Sequence, residues 1–92
     1  MGEYEVISNQ EAGFGRLDVM VLHKYDKSRP AIVMELKTID EFDKETKDGA
    51  LKSAVKQIED KEYITTANKR GYHNICAFGL VFEGKRVWVK EV

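Results

Sequence analysis

The segment Arg16-Leu17-Asp18-Val19-Met20-Val21-Leu22-His23 is followed, after the polar loop Lys24 to Pro30, by Ala31-Ile32-Val33-Met34-Glu35-Leu36-Lys37. Both alternate as strands do. In the first, Leu17, Val19 and Val21 face one way and Arg16, Asp18, Met20 and Leu22 the other; in the second, Ile32, Met34 and Leu36 oppose Ala31, Val33, Glu35 and Lys37. Asp18 and Glu35 interrupt the apolar runs of these two strands. If the two pair as a hairpin with Leu22 opposite Ala31, Asp18 falls opposite Glu35, and two carboxylates directly across a strand pair repel. A proton on one of them or a cation between them relieves that repulsion, and parity puts Lys37 on the same face as Glu35.

Outward from this hairpin, Tyr4 to Ser8 reads as a short first strand and Asn9 to Gly15, with two glycines, as a turn. After an acidic, irregular stretch from Thr38 to Glu45, a single helix is expected over Thr46 to Arg70, capped by Thr46 or Asp48. Leu51, Ala54, Val55 and Ile58 form its apolar stripe. Lys69 and Arg70 suit the negative end of the helix, and Gly71 can take the left-handed conformation that ends it. The apolar run Ile75 to Phe82 predicts a strand covered on both sides. Glu83-Gly84-Lys85 then turns the chain into a last strand, Arg86 to Val92. The order βββαββ makes the helix a right-handed crossover between two parallel strands of a mixed, five-stranded sheet, an α/β fold.

With 92 residues, 42% of them apolar, and a single proline, the chain suits one soluble globular domain over residues 1–92 with a thin core. Fifteen basic residues against sixteen acidic ones leave a net charge of −1, so any nucleic-acid contact must be local. The candidate patches are His23, Lys24, Lys27 and Arg29; Lys69 and Arg70; and Lys85 and Arg86. The single cysteine, Cys76, permits no internal disulfide and reads as a buried, inert thiol. No signal peptide or membrane span is legible, which places the protein in the cytoplasm. Gly13-Phe14-Gly15-Arg16 is no dinucleotide fingerprint, because Asp18 stands where the third glycine belongs and a strand follows. His23 and His73 lack the clustered partners of a zinc site and read as surface residues.

The chemistry therefore concentrates on Asp18 and Glu35. Their carboxylates, the backbone carbonyl of Leu36 and several waters form a hard-oxygen set suited to Mg²⁺, with Mn²⁺ as the alternative. A metal so held polarises a phosphodiester and lowers the pKa of bound water, and Lys37 can orient that water or stabilise charge on the phosphoryl oxygens. Gln57 and Lys61 flank the apolar stripe of the helix and can reach the sheet to support the metal shell or a phosphate. Arg16, on the Asp18 face, can pair with a carboxylate or a phosphate, and Tyr63 and Trp88 can stack on bases. The competing reading is a surface ion pair of Glu35 with Lys37 and an edge-exposed Asp18.

Gly15-Arg16-Leu17-Asp18, Glu35-Leu36-Lys37, then Gln57-Ile58 and Tyr63 on the following helix resemble the PD-(D/E)XK nuclease superfamily. More narrowly, they resemble the nuclease-like domain at the C-terminal end of many bacterial AAA-ATPase-like proteins. The similarity extends through Ser8 to Arg16 and through Phe78 to Phe82 with Gly84-Lys85. It implies a restriction-endonuclease-like core, metal binding by Asp18 and Glu35, a catalytic Lys37 and a supporting Gln57. Nucleic acid is the implied partner, DNA ahead of RNA, with Arg16, Lys61 and Tyr63 as substrate-binding candidates. The superfamily usually places a helix ahead of the first core strand, often carrying another acidic residue. That helix is expected to be missing here, with Glu5 or Glu11 as substitute ligand and a homodimer or a further N-terminal segment making up the lost burial. The rival function is an inactive nuclease-fold module that binds or dimerises.

Overall fold

The structure is a computed structural model that describes residues 2–11, 16–39 and 46–92, apart from the side chains of Gln10, Glu11 and Arg16. Five strands, β1 (Tyr4–Glu11), β2 (Arg16–His23), β3 (Ala31–Thr38), β4 (Ile75–Glu83) and β5 (Arg86–Glu91), form one sheet in sequential order. Every neighbouring pair is antiparallel except β3 and β4, which are parallel and joined across α1 (Lys47–Asp60) and α2 (Tyr63–Lys69). The expected mixed α/β sheet with one main helix is thus the observed architecture. The expected turn at 12–15 and irregular stretch at 40–45 lie outside the described residues. No helix among the described residues is long and apolar enough to cross a membrane.

Both helices pack on one face of the sheet. Met20, Leu22, Ala31, Val33 and Ala77 meet Ile58, Ala67 and Tyr72 there, and a second cluster joins Ile39, Ala50 and Val81. Small residues let α1 lie close to β4. A Cβ built on Gly79 would stand 3.1 Å from Ala54 Cβ and 3.5 Å from the Val55 backbone nitrogen, so hydrogen is the largest substituent that fits without movement. Gly79 is also the β4 partner of Glu35, so the tightest helix–sheet contact sits beside the carboxylates.

Three local expectations change. The first strand continues to Glu11, because Asn9 and Gln10 pair with Asp18 and Leu17 instead of turning. The single helix over Thr46 to Arg70 is two. Thr46 caps the first by accepting from the Gly49 amide at 3.1 Å, but Glu62 adopts φ 56 and ψ 35, a left-handed conformation that breaks the axis between Asp60 and Tyr63. Strand β4 is covered on one side only: Ala77, Gly79 and Val81 are buried, while Cys76, Phe78 and Leu80, on the other face, are half-buried. Cys76 is therefore not fully enclosed.

Neither is His23 a surface residue. It is 7% exposed; its Nδ1 accepts from the backbone amides of Tyr25 and Asp26, and Tyr72 donates to its carbonyl at 2.6 Å. The loop it opens is held by local contacts. Hydrogen bonds from Ser28, aided by the Arg29 guanidinium, hold the Asp26 carboxyl below its ordinary range. Lys27 donates to the Arg70 carbonyl at 2.6 Å, and Gly71, at φ 97, ends α2 as expected.

Substituting Gly79→Val should cost about 1–3 kcal/mol, the usual penalty of overpacking a close contact. Urea unfolding would read it as a lower midpoint at unchanged slope, and an unchanged midpoint would refute the close approach.

Candidate metal and phosphodiester site

The register of β2 and β3 pairs Asp18 with Glu35 and Arg16 with Lys37. On the neighbouring strands Asn9 lies across from Asp18, and Gly79 across from Glu35. A row of Asn9, Asp18, Glu35 and Gly79 therefore crosses the helix-covered face. A second row, one step along the strands, holds Glu11, Arg16, Lys37 and Val81. Alternation alone produces this arrangement, because side chains two residues apart on a strand share a face.

Burial decides against the surface ion pair. Asp18 is 5% exposed, Glu35 1% and Lys37 8%. Asp18 Oδ2 is occupied: Lys61 Nζ lies 3.0 Å away and Tyr63 donates its hydroxyl to the same oxygen. Asp18 Oδ1 and both Glu35 oxygens are buried and accept no hydrogen bond from the described residues. An orphaned buried carboxylate is costly, because an ion left without partners in a poorly polarisable interior forfeits its hydration. Cross-strand repulsion adds to this. Two unit charges about 5 Å apart cost roughly 3 kcal/mol at an effective dielectric of about 20. One ammonium that keeps contact with water, as Lys61 does at 25% side-chain exposure, offsets only part of that.

Three unsatisfied carboxylate oxygens fit a hard divalent cation. Among the described residues no group of three or more His, Cys, Asp or Glu side chains surrounds the spot, so the described residues supply two carboxylates. Mg²⁺ tolerates such a sparse protein set because it retains several waters. Leu36, the third expected donor through its carbonyl, lies between Glu35 and Lys37 in β3. Glu5 is not near them: it pairs with Leu22, four residues along β1 from the Asn9 row and so about 13 Å away. It forms an ion pair with Arg70 at 3.3 Å. Glu11 and Arg16 sit one row from Asp18, but their side chains lie outside the described part of the structure.

From the helical side, Gln57 is half-buried one turn before Lys61. Lys61 and Tyr63, expected at the substrate, both hold one oxygen of Asp18, and the left-handed Glu62 stands between them. A cavity of about 90 Å³ opens beside this group, walled by Ile7, Met20 and Tyr63 with Asn9 at its edge. Asn9 escaped sequence reasoning because Ser8-Asn9-Gln10 has turn chemistry. Continuing the alternation of Glu5 and Ile7 by one more step would have found it.

Burial first, and the hydrogen bond to Asp18 second, push the Tyr63 hydroxyl from the ordinary 10 up to about 12. A phenol whose folded pKa is raised stabilises the fold below the unfolded value, and that contribution is lost as pH climbs from about 10 through about 12. Spectrophotometric titration should therefore find a late-ionising tyrosine among the four, absent from Tyr63→Phe. A normal titration for all four would contradict the Asp18 contact.

The family model of the PD-(D/E)XK nuclease superfamily matches residues 1–92. No curated protein and no solved structure matches the chain. With a mixed sheet that sets Asp18 opposite Glu35 and Lys37 on the same face, and a family match over its whole length, the chain belongs to the PD-(D/E)XK nuclease superfamily.

Proposed function

We propose that this domain is a metal-dependent nuclease that hydrolyses phosphodiester bonds of nucleic acid, DNA ahead of RNA. The observation that carries the reading is the set of buried oxygens on Asp18 and Glu35 that accept no hydrogen bond from the described residues. Asp18 Oδ1, the Glu35 carboxylate and the Leu36 carbonyl are the groups that would hold Mg²⁺ or Mn²⁺, with Glu11 as a further candidate. When bound, such an ion polarises the phosphodiester and supplies a water of lowered pKa.

The chain's own residues do the rest. Lys61 and Tyr63 fix Asp18 by one oxygen, so the other stays available without rotation of the carboxylate. Lys37, one row beyond Glu35 on the same face, orients the attacking water or balances the charge that grows on the phosphoryl oxygens. Gln57, one turn before Lys61, supports the metal shell or a phosphate from the helical side, and Arg16 is the candidate to meet a substrate phosphate.

A second reading keeps the fold and gives up turnover. It draws on the Lys61 ammonium, which already stands on Asp18 as an internal cation. Isothermal titration with Mn²⁺ separates the two. The nuclease reading expects binding by the wild type and none by Asp18→Asn; a folded wild type that takes up no metal would leave only the module.

Two outcomes extend this test. Without metal, Glu35→Gln should raise stability by about 1–3 kcal/mol, because it removes cross-strand repulsion and a buried charge, while abolishing Mn²⁺ uptake. A destabilised, metal-free Glu35→Gln would show that the carboxylate is already compensated within the chain. Lys37→Ala should retain metal binding and lose about 10²–10³-fold in cleavage rate, the scale of removing one charge-stabilising donor. Undiminished cleavage would remove Lys37 from the chemistry.

A further inference from the structure

We infer that the sheet face opposite the helices is a self-association surface, covered in solution by the same face of a second copy of this chain. Parity and register assign that face independently of the phosphodiester site. Its centre is Val19, Ile32, Met34, Phe78 and Leu80, all half-buried, on the side of the sheet away from α1 and α2. Toward the two edge strands it continues into Val6, 63% exposed, and Val87, 49% exposed.

Both helices are committed elsewhere. They bury Met20, Leu22, Ala31, Val33, Ala77 and Val81, which alternate with the residues of this face along the same strands. Such a contiguous apolar surface is uncommon on a monomer.

Size and charge point to a second copy as the occupant. Five strands at about 4.8 Å spacing and about eight residues at about 3.3 Å rise give a face of roughly 600 Å². Two such faces together reach about 1,200 Å², the lower bound for a stable interface. Among the described strand residues on this face, Glu91 at the end of β5 alone carries a full charge, although 34% of the chain is charged. A two-fold axis brings a surface against itself, so a charged face would set like charges together; this one does not. A basic or acidic partner would find almost nothing to pair with, whereas two apolar sheets stack about 10 Å apart with interleaved side chains. In this arrangement the two Asp18–Glu35 sites point outward on opposite sides of the dimer.

The chain carries its own reporter. Cys76 pairs with Ile32 on this face and is its sole thiol. Sedimentation of the wild type should give twice the mass of the 10.6 kDa chain at micromolar concentration. Labelling of Cys76 by a thiol reagent should slow at least tenfold as concentration rises through the same range. Met34→Lys, which places two cations at the centre, should sediment as a folded monomer and label rapidly at every concentration. A wild type that stays monomeric at hundreds of micromolar overturns the proposal. So does a dimer in which Cys76 labels at a rate independent of concentration, since association would then use another surface. The wild-type measurements decide the matter even if Met34→Lys does not fold, and none of them requires metal or substrate.

Discussion

Two like charges held across one strand pair, in the interior, organise the rest of this small domain. Asp18 and Glu35 are opposed by the β2–β3 register, and that register is demanded by burial. A slip of β2 by one residue would turn Met20 and Leu22 to the outer face and destroy the core against Ile58 and Ala67. The core therefore enforces the repulsion. Lys61 and Tyr63 compensate one oxygen, and three accept no hydrogen bond from the described residues, a pattern expected where stability is given up for a site.

The surrounding fold serves that geometry. Gly79 and Ala54 let α1 settle closely on β4 beside Glu35, which helps exclude water from the carboxylates. The break at Glu62 costs some backbone strain, since a side chain in the left-handed region is disfavoured by about 1–2 kcal/mol. In return α2 starts at Tyr63, whose hydroxyl meets Asp18, and just beyond its end Tyr72 holds the His23 carbonyl at the far end of β2 through its hydroxyl. The same strand is thus gripped at both ends.

A sheet with helices on one side alone has one wet face or one shared face. Here the outer face is apolar, so the element that supplies metal-site geometry and the element that supplies the proposed dimer contact are the same five strands, read at odd and even positions. Side-chain alternation separates the two roles without any extra segment.

The sequence by itself determined β2 and β3, their two faces and, once they pair with Leu22 opposite Ala31, the opposition of Asp18 to Glu35, because period-two alternation fixes which residues share a face. It also marked the end of the helical segment at Gly71, where glycine relaxes the required backbone, and offered Thr46 beside Asp48 as the cap, of which the structure uses Thr46. Tertiary structure decided the rest. Nothing at Asp60 to Tyr63 signals a helix break, since neither glycine nor proline stands there; the αL turn at Glu62 accompanies the contacts that Lys61 and Tyr63 make with Asp18, some forty residues away in sequence. Asn9 joined the strand against its turn chemistry because Asp18 and its neighbours offered a ladder to complete. Which face of β4 is covered was invisible as well, because an apolar run looks the same whether one side or both are packed, and only the position of the helices distinguishes them.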